Sequence, residues 1–343
     1  MLRSIHSLRW AALSLCASSL LAACGGGPDG TAGGGAAPAP PTTLSVTSEL
    51  ALQVSGNARS LTVTNTGSAP ALSVIYSVNS APLGTITTTV SDCSTLAPGA
   101  VCTITVTPGA TASATAGNTS PVPITFNVGG VNTNIVSASV HVLEFGSVYQ
   151  SGYVFAFDDT TPATGSVGGK VVARTDASPG LIWSSNGNGG APGDVANNVV
   201  PGIDETSTPV MGICNGGTDG ACNTREITTF YNGVNTAYFA AGVCRATMSG
   251  YSDWFLPSVC ELGGDAFAGC GVGVDSMQKN LIDNNALLVA DQPQMTYWSS
   301  TQYSATPATQ AWAHHFASGG GDFSGQSVKD SLFPVRCVRS LTL

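Results

Sequence analysis

Ten cysteines fall in 343 residues, two within the first 24 and eight between positions 93 and 337. Those eight, Cys93, Cys102, Cys214, Cys222, Cys244, Cys260, Cys270 and Cys337, are even in number, which in an exported chain reads as a set of disulfides. Each bond requires its two Cα atoms to lie within about 7 Å. The fold must therefore bring eight scattered positions together in pairs, although eight cysteines admit about 105 pairings and the count alone selects none.

The amino terminus points to export. Arg3 and Arg9 precede an apolar run, "WAALSLCASSLLAA", that is too short to span a bilayer and stops at Cys24. Leu21-Ala22-Ala23-Cys24 resembles the bacterial lipoprotein box, which implies removal of residues 1–23 and lipidation of Cys24. Two or three acyl chains would anchor the protein stably. Residues 24–43 then form a Gly/Ala/Pro tether, "GGGPDGTAGGGAAPAPPTT" after the cysteine. The residue after Cys24 is Gly25 rather than an aspartate, which favours sorting to the outer membrane of a Gram-negative cell.

Loss of Arg3 and Arg9 with the signal takes the formal net charge from −9 to −11. Only 9% of residues are charged, whereas 42 are glycine and 43% are hydrophobic, so solubility rests on Ser, Thr, Asn and Gly. With no basic stretch to neutralise a row of phosphates, the composition speaks against a nucleic-acid partner.

From residue 44 the texture becomes alternating β-branched and small polar residues, as in "SLTVTNTG", "LSVIYSV" and "VCTITVTP". About seven short strands with no helical period predict an immunoglobulin-like β-sandwich over residues 44–143. "CSTLAPGAVCTITVTP" resembles bacterial Ig-like modules, which implies a bond between Cys93 and Cys102. The pair lacks the Cys-x-x-Cys spacing of a redox site.

Residues 145–343 read as an α+β domain. "GYVFAFDD" and "GKVVARTD" predict strands, the spacing of Ala237, Ala241, Cys244 and Met248 predicts a helix over 235–248, and a second helix is expected over 275–288. Short strands follow around Trp298, Trp312 and Arg336. In "GYSDWFLPSVCEL", Ser258 and Glu261 fit a capping box, Trp254 and Leu256 alternate as a half-buried strand, and Asp253 suits a turn. This stretch predicts structure, not catalysis.

Four blocks, "SGYSDWFLPSVCEL", "YWSSTQYS", "AWAHHF" and "VRCVR", resemble in order and spacing the C-terminal domain of the Legionella collagen-like adhesin. The resemblance covers about residue 145 to the end. It implies a small disulfide-rich fold related to C-type-lectin-like and formylglycine-generating domains. It also implies a surface adhesion module, whose best-known member attaches to sulfated polysaccharides. Within that fold, Cys244 with Cys337, Cys260 with Cys270 and Cys214 with Cys222 are the implied bonds. The chain departs from the family in lacking a collagen-like repeat. Its terminal domain also has more acids than bases, which opposes binding a polyanion unless cations cluster, and a polar His314 stands at a position that is usually apolar.

The residues offer little catalytic chemistry, and the chain is expected to be no enzyme and to need no cofactor. His314 and His315 are adjacent, so a strand would send them to opposite faces and they could not share a metal. "DQPQ", residues 291–294, is a partial match to the sugar motif of calcium-dependent lectins, which leaves calcium open. A glycan site is expected in the loops "YWSSTQYS" and "ASGGGDFSGQS", with Gln302, Tyr303, Asp322, Phe323 and Gln326 as ligand-binding residues and with Trp298 and Trp312 in the core. The competing expectation is an envelope assembly protein whose terminal domain binds another protein, with the Ig-like domain as spacer.

Overall fold

The computed structural model describes residues 38–79, 84–113, 122–209, 213–263, 269–271, 273–284 and 295–342. Ten strands come first: β1 (Leu44–Val46), β2 (Glu49–Gln53), β3 (Arg59–Asn65), β4 (Ala71–Leu72), β5 (Ile75–Asn79), β6 (Ile86–Val90), β7 (Thr95–Leu96), β8 (Val101–Pro108), β9 (Ile124–Gly129) and β10 (Val136–Leu143). Eight of them build two four-stranded sheets, ordered β1-β3-β8-β6 and β2-β10-β9-β5, and β10 runs parallel to β2. Along β3 buried and half-buried residues alternate strictly, because every second side chain enters the core between the sheets. Leu50, Leu52, Leu61, Val63, Ile104 and Phe126 fill that core. The sandwich predicted from the alternation is present, and Cys93 is bonded to Cys102.

The strand registers give the sandwich two distinct ends. Leu44 pairs with Asn65 and Ile75 with Gly129 at the end where the chain arrives from Pro40. Arg59, Pro108 and Leu143 lie at the other. There Arg59, 1% exposed, donates from Nη1 to the carbonyls of Pro162, Gly165 and Ser166 and from Nη2 to Asp159 at 2.8 Å. Ala51 N donates to Ser166 Oγ, and Val167 N to Ala51 O. Ala51 and Leu143 also belong to the core of the following domain. A buried arginine spending its donors on a neighbour's backbone makes this a fixed junction.

Past the junction come β11 (Val148–Tyr149), β12 (Gly152–Asp158), β13 (Gly168–Ala173), β14 (Ser178–Leu181), β15 (Thr296–Gln302), β16 (Gln310–His315), β17 (Phe323–Val328), β18 (Phe333–Val335) and β19 (Val338–Ser340). They form sheets β11-β12-β13-β19, β14-β18 and β15-β16-β17. Three helices, α1 (Gly220–Phe230), α2 (Ala240–Val243) and α3 (Val259–Leu262), lie between β14 and β15 in sequence. Trp183, Trp254 and Trp298 are fully buried. Bonds Cys214–Cys222, Cys244–Cys337 and Cys260–Cys270 are all formed.

The helices differ from expectation. The segment 235–248 is a 3-10 turn at Thr236–Tyr238, capped by Asn235, followed by extended Phe239 and the four-residue α2. The extended residue plants the Phe239 ring in the core at 1% exposure. A Cβ on Gly242 would sit 2.3 Å from Thr236 O, so the turn closes tightly only on a glycine. Helix α1, unforeseen, is capped by Asp219, whose carboxylate accepts from Cys222 N. In the 275–288 segment the described helix is a π-type turn, Gln278–Asp283. It turns Gln278 and Asn280 inward to donate to Ala317 O and Phe155 O. Residues 254–256 do not form the predicted half-buried strand: all three are buried, and one bridge links Phe255 to Val338.

Candidate functional site

The motif Ser249 to Leu262 builds a frame. Ser258 Oγ accepts from Glu261 N, and Glu261 Oε2 accepts from Ser258 N at 2.7 Å, the predicted capping box. The other Glu261 oxygen pairs with Lys170 on β13, so this acid is spent on structure. Asp253 accepts from Arg339 Nε and Nη2 at 2.8 and 2.9 Å. Those bonds hold its carboxyl below the usual aspartate range. Arg339 is fully buried, with its guanidinium 3.7 Å from the Tyr251 ring centroid. Arg336 in turn binds Asp176 at 2.5 Å. Both arginines of "VRCVR" are thus neutralised inside the fold and unavailable to an anionic ligand.

Behind this frame lies a cleft of about 490 Å³, lined by Ser151 and Tyr153 of the β11–β12 hairpin, Arg174 and Thr175 after β13, and Met248, Ser249 and Trp254 of the motif. Gln150, Ser151 and Ser249 adopt left-handed φ values of 44°, 70° and 50°. Such conformations cost on the order of 1–3 kcal/mol each in a residue with a Cβ and gather at binding sites. Gln150 is held there by its own side chain, which accepts from Arg339 Nη1 and Thr342 N. Arg174 is exposed, and no hydrogen bond or ion pair engages it among the described residues. Hydroxyls, the half-buried ring of Tyr153 and one open cation therefore converge on one concave surface that the buried Trp254 also lines.

The residues expected in the glycan loops do not converge. Gln302 is fully buried: its Oε1 accepts from Val200 N and Lys329 Nζ, and its Nε2 donates to Val200 O. In β17, Phe323 pairs with His315 and Gln326 with Trp312. Alternation puts these two pairs on opposite faces of the sheet. Phe323 stacks on His315 at 5.1 Å, while Tyr303 meets Trp312 edge-on at 5.5 Å, on the Gln326 side. Asp322 is half-buried just before β17. Trp298 and Trp312 are buried as expected.

His314 and His315 do face apart. His314 is buried between Ser324 and Gln278, and burial pushes its pKa down to about 3, so it is a neutral strut. One group of potential metal ligands, Cys214, Cys222 and Glu226, occurs among the described residues. Its two sulfurs are joined in a disulfide, which removes the thiolates a metal would need. Cys24 and the 291–294 segment lie outside the described residues. No helix among the described residues is long and apolar enough to cross a membrane.

Sequence reasoning missed the cleft because Tyr153, Arg174 and Ser249 come from three separate segments. The only local signal was Ser249-Gly250 at the head of the first family block.

No curated protein matches the chain. Among solved structures, domains 4 and 5 of the S-layer protein SbsC align at 18% identity over 29% of this chain and 50% of that one, with a TM-score of 0.21. The secreted serine protease VesC from Vibrio cholerae aligns at 18% identity over 40% and 30%, with a TM-score of 0.24. The chain spans half or less of each of these structures, and similarity at this level says nothing about activity. The family model of the Lcl C-terminal domain matches residues 173–339. That span includes Arg174, the Ser249–Trp254 rim and both buried Arg–Asp pairs. Over residues 173–339, just under half of its length, the chain is similar to the Lcl C-terminal domain.

Proposed function

We propose that the protein is a non-enzymatic surface adhesion module, anchored at the outer membrane through Cys24, that binds glycan in the cleft between the β11–β12 hairpin and Ser249. One observation carries the reading: among the described residues Arg174 stands unpaired beside the half-buried ring of Tyr153 and three hydroxyl residues, in a concavity whose backbone is held in strained conformations. Rings stack on sugar faces, hydroxyls exchange hydrogen bonds with sugar hydroxyls, and a single guanidinium suits one carboxylate or sulfate. The acidic domain and the internal pairing of Arg336 and Arg339 favour a sugar bearing isolated acidic groups over a densely sulfated chain. The sandwich is the spacer. It receives the chain at one end and grips the binding domain through Arg59 at the other.

A glycan array with the whole protein tests this. Signals for neutral or sparsely acidic sugars, reduced in Arg174→Ala, support the reading. Silence across the array together with recovery of one envelope protein in a pull-down would favour the assembly role instead.

A further inference from the structure

The three most exposed large apolar side chains among the described residues are Val131, Ile135 and Ile75, at 81%, 75% and 74%. All three line one cavity at the end of the sandwich remote from Arg59, and no charged side chain lines it. Ile75 on β5 pairs with Gly129 on β9. A Cβ on Gly129 would lie 3.2 Å from Ile135 Cγ1, so Ile135 leans over the glycine from the side opposite Ile75. The next row on this outer face is polar, Ser77, Asn127 and Ser137. The apolar surface is thus confined to the tip.

The tip is also where the amino-terminal segment joins the fold. Val131 and Ile135 flank a turn whose Asn132 donates from Nδ2 to Pro40 O at 2.7 Å and accepts from Thr42 N at its carbonyl. Asn134 Oδ1 accepts from Leu44 N at 2.7 Å. Fifteen residues separate Cys24 from Pro40, a span that reaches at most about 55 Å fully extended. A lipid on Cys24 would therefore tether the chain at this end of the sandwich.

We propose that Ile75, Val131 and Ile135 form a membrane-docking tip that rests in the interface of the bilayer to which Cys24 is anchored, standing the sandwich upright with the binding domain outward. The inference rests on the lipoprotein reading. Three side chains would bind a free bilayer weakly, but the anchor makes the contact intramolecular and so raises its occupancy. An uncharged patch also suits a chain whose formal net charge, which goes from −9 to −11 once Arg3 and Arg9 are removed with the signal, would be repelled by anionic headgroups.

Purified lipidated protein carrying Ile135→Trp, reconstituted in vesicles containing brominated phosphatidylcholine, provides the test. The native Trp183, Trp254, Trp298 and Trp312 are buried and lie in the other domain, so they give an unquenched background. A control, Thr87→Trp, sits at an exposed β6 position whose partner Thr107 is near the Arg59 end. The added emission at position 135 should be blue-shifted and strongly quenched, that at 87 should not, and adding Ile75→Asp with Val131→Asp should remove the quenching. Acylated Cys24 by mass spectrometry with no quenching at 135 would overturn the docking tip and leave the anchor standing. Equal quenching at both positions, or a blue shift at 135 that depends on protein concentration rather than lipid, as self-association would give, also overturns it. A mature chain without acyl groups would remove the anchor and the tip together.

Discussion

Arg339 grips Asp253 with two hydrogen bonds while its guanidinium sits 3.7 Å from the Tyr251 ring centroid, so that the first and last family blocks are locked into one unit. The arginine is fully buried and the aspartate half-exposed. Asp253→Asn leaves a buried guanidinium without its countercharge and should cost about 1.5–3 kcal/mol by chemical denaturation. The pair also has a pH signature. Arg339 depresses the folded Asp253 pKa, so its stabilisation is present above the ordinary aspartate range and is lost as pH falls through the folded value. Asp253→Asn should flatten the acid limb of the stability curve.

Lys329 carries a signature of the same sign in a higher pH window, arising from desolvation rather than from a countercharge. It is fully buried with no acid beside it, donating to Asn198 O, Gln302 Oε1 and Pro307 O over the face of Trp183. Burial pushes its pKa down to about 7 from an ordinary 10.5. Between those values the unfolded chain holds more protons, so stability should rise with pH, on the order of 1 kcal/mol per pH unit. Lys329→Met should abolish that slope while lowering stability throughout, because three oxygens lose their donor. Denaturation curves at pH 6, 7.5 and 9 decide it.

The Cys244–Cys337 bond spans 93 residues. In the chain-entropy account a loop of that length contributes about 4–5 kcal/mol. Replacing both cysteines by alanine should lower the melting temperature of the terminal domain far more than removing Cys93–Cys102, which closes a loop of nine.

Trp298 is fully buried and donates from Nε1 to Leu181 O at 2.8 Å. Trp298→Ala should cost about 3–5 kcal/mol. Gln302→Ala should also destabilise, since Lys329 and Val200 lose partners. Tyr303→Ala, at a half-buried rim position, should cost less than either.

Much of this architecture was legible in the sequence. Strict alternation marked the sandwich strands, and Ser258 with Glu261 marked its own helix start, because both are local patterns. The four disulfides were legible through the family resemblance. The 235–248 helix failed because Phe239 gains more by burying its ring than by continuing a turn, a tertiary effect that helical spacing does not carry. The placement of the expected ligand residues was not legible for a simpler reason. Counting aromatic and amide residues ignores which face of β17 each one occupies, and Gln302 is consumed by the backbone of Val200. The cleft itself joins the hairpin at Ser151 and Tyr153 to the Ser249 turn about a hundred residues later, a proximity that no local pattern encodes.

Equilibrium titration of the strongest array glycan against the wild-type protein, Arg174→Ala and Tyr303→Ala tests the account most directly. Loss of a charged hydrogen bond should weaken Arg174→Ala by about 10- to 100-fold with an unchanged melting temperature, while Tyr303→Ala binds as the wild type does. Normal binding by Arg174→Ala, with binding lost in Tyr303→Ala, would place the site on the β15-β16-β17 sheet and contradict the cleft.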